Sequence, residues 1–146
     1  MDYRRFQAGG PARGHILVRL GIGDEVVGSL RTLAKKEELP AAAVTGLGAV
    51  SEVTLAFYDR MGSSYIETRL NEELEVTSMT GNISWLGDEP VVHLHGVVSR
   101  RDASVAAGHI MRAVVSVTVE VMLVVYEEKV FRKNDPATGL NLLDLR

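Results

Sequence analysis

Three of the four histidines in this chain fall within seventeen residues, in Val92-His93-Leu94-His95-Gly96 and again in Gly108-His109. Side chains alternate along a strand, so His93 and His95 would point one way and Leu94 the other, toward a core. Two imidazoles with Cα atoms roughly 6.5 Å apart, at a rise of about 3.3 Å per residue, can converge on one ion at Zn–N distances of about 2.0–2.1 Å. The segment from Gly96 to Gly108 is long enough to return the chain and present His109 as a third ligand, and the glycine before it lets backbone approach closely. Three neutral imidazoles with an open position are the set that activates water or polarises a carbonyl on zinc; closed structural sites use four protein ligands. The bland alternative is that His93 and His95 are half-exposed strand residues on a polar face and that His109 caps or packs. His15 stands far upstream with no partner beside it.

Glu120 is the other residue with potential chemistry, because a carboxylate inside the apolar run Val114 to Tyr126 is costly unless it is paired, metal-bound or exposed. It is read either as a general acid or base beside a metal-bound water or as a plain ion-pair partner for an arginine such as Arg112. The pairs Gly21-x-Gly23 and Gly46-x-Gly48 lack the rest of a dinucleotide fingerprint and are read as turns. No phosphate-loop, nucleophile-elbow or His-Glu-x-x-His motif occurs.

The elements that must hold these residues follow from pattern. Residues 1–13, with Gly9, Gly10 and Pro11, read as an irregular lead-in, and 14–20 as a first strand. Val26, Val27, Leu30, Leu33 and Ala34 recur at helical spacing, with Asp24 as N-cap, Lys35 and Lys36 on the dipole's negative end, and Pro40 as the stop. Ala41 to Thr45 and Val50 to Tyr58 read as strands, followed by strand-like runs at 64–70, 73–80, 82–86 and 90–99. A helical or irregular piece is expected around 102–108, then a central strand over 114–126. The last twenty residues should form a turn and a tail docking through Leu140, Leu142, Leu143 and Leu145.

With 146 residues, 46% hydrophobic and 24% charged, the chain fits one domain able to bury its own core. The expectation is a single domain over 1–146, with its core at about 14–127. No cysteine is present, which removes disulfides and thiolate ligands and suits a reducing cytoplasm. No apolar run reaches the roughly 18 residues of a membrane helix, so a cytoplasmic location and no membrane partner are expected. A net charge of −3 argues against tight nucleic-acid binding.

The run Ala43-Val44-Thr45-Gly46-Leu47-Gly48-Ala49-Val50-Ser51-Glu52-Val53 resembles a characteristic stretch of PPC-domain proteins. Tyr65, Leu74 to Met79, Gly81-Asn82-Ile83, Val92 to His95, Gly108-His109 and Thr118 to Val121 follow in that family's order. The resemblance covers roughly 14–127 and is nearest to stand-alone prokaryotic members. It implies an α/β (α+β) fold, a mainly antiparallel sheet with flanking helices, distantly similar to acetolactate decarboxylase, and a homotrimer. In such proteins the matching histidines hold a metal, here His93, His95 and His109, with zinc the expected ion. Ala107 stands where many members have glycine. Plant members carry AT-hook peptides; this chain has no Arg-Gly-Arg-Pro core, and Arg13-Gly14-His15 is the nearest approach. Three functions follow: a small metal-binding module open to a small-molecule ligand, a zinc-dependent decarboxylase or hydrolase, and a DNA-associated regulator without an AT-hook.

Overall fold

A computed structural model describes residues 1–6 and 14–145. The lead-in glycines and Pro11, and Arg13 of the AT-hook-like tripeptide, lie outside the described residues. In chain order the elements are β1 (Asp2–Phe6), β2 (Gly14–Leu20), α1 (Val26–Lys36), β3 (Ala42–Asp59), β4 (Ser64–Leu70), β5 (Leu74–Leu86), β6 (Glu89–Ser99), β7 (Val105–Val125), β8 (Phe131–Asn134) and β9 (Asn141–Asp144). One helix, not several, flanks the sheet among the described residues.

β-Branched and apolar residues dominate β3 and β7, whose eighteen and twenty-one residues are far longer than an ordinary strand. Each pairs along one part of its length with a different neighbour. β3 pairs with β5, β5 with β6, β6 with β7, and β7 again with β3, all antiparallel, so these four strands close into a ring of pairings. Closure protects strand edges, and the buried residues Val76, Met79, Leu94, Val98, Ile110 and Val115 belong to the resulting core. β2 extends the sheet from β7, and β1 adds to β2. The alternation in β2 is regular: Ile16, Val18 and Leu20 are buried while Leu17 and Arg19 are exposed.

α1 buries Val26, Val27, Leu30, Leu33 and Ala34 and packs on β6 and β7. Its N-cap is Glu25 rather than Asp24: Glu25 accepts from the backbone N–H groups of Val27 and Gly28 and also from that of Ala113 on β7, at 3.0, 2.6 and 3.2 Å. The longer side chain therefore satisfies orphan donors of the helix and ties it to the sheet. Asp24 instead accepts from Gly21 and the chain's N-terminal ammonium.

Several sequence expectations change here. Gly46-x-Gly48 is a bulge inside continuous β3, not a turn. Gly48 sits at φ +150°, and a Cβ there would lie 2.2 Å from the Thr118 carbonyl oxygen, so the bulge lets β3 and β7 approach. The stretches 73–80 and 82–86 form one strand, β5. The helical or irregular piece expected at 102–108 is a turn through 104 and strand from Val105, and the supposed lead-in contains β1. Leu142, Leu143 and Leu145 are exposed. The C-terminal segment forms the β8–β9 hairpin, attached through Phe131 beside Trp85 and a 2.9 Å bond from the Trp85 N–H to the Val130 carbonyl.

Candidate metal centre

The ring's outer surface carries the histidines. On β6, Val92, Leu94, Gly96 and Val98 are buried, so the alternate side chains His93 and His95 face outward. β6 and β7 form an antiparallel pair in which His95 lies opposite His109 and Gly96 opposite Gly108. A side chain directly across a ladder stands on the same face, so the hairpin return places His109 beside the other two. One ligand nitrogen from each of the three lies within 4.8 Å of the others, and the ring centroids are 5.1, 5.0 and 5.4 Å apart. Among the described residues this is the group of ligand side chains that could hold a metal, and no carboxylate joins it.

The surroundings favour neutral rings at His93 and His109, the form a metal requires. Burial, then the charges of His109, Arg132 and His95, push the His93 ring down to about 4. His109 is also lowered, first by burial and then by His95 and Arg132. Nδ1 of His109 is buried with no hydrogen-bond partner. An orphaned ring nitrogen in a cluster of three imidazoles is what a ligating nitrogen would look like, so the residues fit a metal. Tyr65 on β4 lies against His109 at 5.3 Å between centroids and is itself packed on Tyr58.

Glu120 does not join this group. It is exposed and opens, with Leu17, Arg19, Leu47, Thr80 and Met122, onto a separate groove of about 900 Å³. Its suggested partner Arg112 pairs instead with Glu52 at 2.9 Å. His15, on β2 opposite Val124, is also apart from the cluster. Arg132, in contrast, has no motif around it in the sequence and reaches the site: its Nη2 is 3.4 Å from His93 Nδ1. The arginine is brought there by a long-range contact between the C-terminal hairpin and β5, with Phe131 paired to Trp85, for which local spacing carries no signal.

Closed pairing of four antiparallel strands, one packed helix and a three-histidine cluster on the outer face together define a small α+β module with a site able to bind metal. A model of the Plants and Prokaryotes Conserved (PCC) domain matches residues 7–127, and the chain belongs to that family. It is similar to a candidate DNA-binding protein of Ralstonia eutropha, with 31% identity, coverage of 99% of this chain and 96% of that one, and a TM-score of 0.89. It is similar also to a metal-containing protein of Archaeoglobus fulgidus, with 29% identity, 90% and 93% coverage and a TM-score of 0.83. A plant- and prokaryote-conserved (PPC) protein of Pyrococcus horikoshii shares the fold at 23% identity, 99% and 96% coverage and a TM-score of 0.84. The likeness to acetolactate decarboxylase of Bacillus subtilis is one of fold alone, at 12% identity, 83% and 57% coverage and a TM-score of 0.53. A search of curated proteins returned no match. No helix among the described residues is long and apolar enough to cross a membrane.

Proposed function

We propose that this protein is a small metal-binding module in which His93, His95 and His109 hold one divalent transition metal, zinc by preference, with at least one position open to water or a ligand. The observation that carries the reading is the convergence of three ligand nitrogens within 4.8 Å of one another. The exposed His95 leaves the cluster accessible from solvent, and the similarity to a metal-containing protein of Archaeoglobus fulgidus supports it. An ion bound there would supply Lewis acidity and lower the pKa of a bound water. Neutral nitrogen donors also suit nickel, copper and iron, so the test is metal analysis of protein purified without a nickel column. About one equivalent of zinc per chain is expected, and a metal-free protein that also fails to bind added zinc would refute the reading.

The module is further proposed to act as a homotrimer in the cytoplasm. Leu17, Leu47, Val117 and Met122, exposed on β2, β3 and β7, give an apolar surface that assembly would cover. A zinc-dependent decarboxylase or hydrolase is a second reading, favoured by an arginine beside an accessible cluster. DNA association is supported by the naming of the Ralstonia eutropha relative and opposed by the net charge of −3.

A further inference from the structure

Arg132 is held by three neutral acceptors: its Nε–H donates to Ser84 Oγ at 2.7 Å, Nη1 to the Asn141 carbonyl at 2.8 Å and Nη2 to Asn82 Oδ1 at 2.8 Å. Ser84 is fully buried on β5, and Asn82 lies opposite His93 in the β5–β6 ladder, so the guanidinium is fixed against the histidine cluster rather than swinging in solvent. The hairpin that carries it is fastened too, because the Tyr58 hydroxyl donates to the Thr138 carbonyl and Lys129 stacks over Trp85 at 3.9 Å. No carboxylate pairs with Arg132 among the described residues. Arg132 and the hairpin that carries it lie beyond residue 127, where the family match ends.

A fixed, half-buried cation without an anionic partner is costly, and placing a divalent ion beside it would raise the cost further. Three imidazoles contribute no negative charge to offset either. Nη2 also approaches the cluster, 3.4 Å from His93 Nδ1, too long for a firm hydrogen bond. We infer that Arg132 and the three-histidine metal form one binding site for a small carboxylate, with one oxygen on the ion and the other accepting from Arg132 Nη2. A planar carboxylate suits one metal position and one or two guanidinium donors. A phosphate, with three terminal oxygens, would want more donors than the site presents. The inference rests on the metal reading above and adds to it the class of ligand and the residue that selects it.

The test uses the full chain loaded with cobalt(II), whose visible spectrum reports the coordination sphere, titrated with acetate and with its neutral isostere acetamide. Acetate is expected to change the spectrum saturably and acetamide to leave it unaltered. In Arg132→Gln, with cobalt content and circular dichroism as in the wild type, acetate should bind about tenfold more weakly or worse, the scale of one lost charge-assisted hydrogen bond. Wild-type acetate affinity in that variant would make Arg132 a strut for the hairpin and overturn the inference. Should Arg132→Gln fail to fold, the wild-type arm decides: a cobalt spectrum indifferent to acetate even at roughly 0.1 M, well above any millimolar affinity, refutes it. Inorganic phosphate binding more tightly than acetate would overturn the choice of carboxylate. Failure of the wild type to take up cobalt at all would instead sink the metal reading and this inference with it, a result distinct from metal uptake without acetate binding.

Discussion

His93 is the residue whose surroundings make the most definite demand, since burial and the neighbouring His109, Arg132 and His95 hold its ring down to about 4 from 6.5. A histidine depressed in the folded state binds its proton first in the unfolded chain. Its contribution to stability is therefore complete above pH 6.5 and is lost as pH falls from there toward 4, where the loss saturates. Urea midpoints of metal-free protein at about pH 7.5 and about pH 5 should show this fall, and His93→Asn should flatten it. Equal pH dependence in the two proteins would contradict the assignment. The histidines were legible in the sequence because two obey a strand's period of two and the third follows one hairpin later. Arg132 was not, because its place depends on a hairpin docking on β5. Glu120 avoids the cost of a charge in an apolar run by its exposure on β7.

At the scale of elements, the direction of the histidines is set by what lies on the other side of β6. Leu94, between them, is fully buried, and a one-residue slip would exchange leucine for imidazole on the core face. Leu94→Ala should cost about 2–5 kcal/mol in denaturant unfolding, with a value near zero contradicting its place in the core. Gly81 on β5 supports the same segment from the side, since a Cβ there would lie 1.8 Å from the His93 carbonyl oxygen. Gly81→Ala must push β6 away, at a cost of about 1–3 kcal/mol or more, and should weaken metal binding; unchanged stability and metal affinity would show that β6 is not pinned there. The strand at 64–70 was readable to the residue, and so was the buried face of α1. Propensity favours Asp24 as N-cap, but Glu25 takes the position and also reaches Ala113. Gly46, Gly48 and Gly81 look like turn signals in the sequence, whereas they serve bulged or close-packed backbone inside the long strands β3 and β5.

For the whole molecule, antiparallel strands and a helix were legible from pattern and the α+β class from the family resemblance, while the closed ring was not. Closure depends on β7 pairing with β6 along its first part while it also pairs with β3, a division of one strand between partners that periodicity does not encode. The exposed Leu17, Leu47, Val117 and Met122 leave a surface for the proposed trimer, and light scattering should report about three times the chain mass of 15.9 kDa; a monomer at micromolar concentration would contradict it. With a net charge of −3, titration of A·T-rich and G·C-rich duplexes at moderate salt should give weak binding without preference. Tight A·T-selective binding would instead point to a basic surface created by assembly. The account's central claim is that one metal is shared by three imidazoles, and metal content of the single variants tests it most directly. His93→Ala, His95→Ala and His109→Ala should each lose most of their bound metal while His15→Ala keeps it; full retention in all three of the cluster variants would contradict the claim.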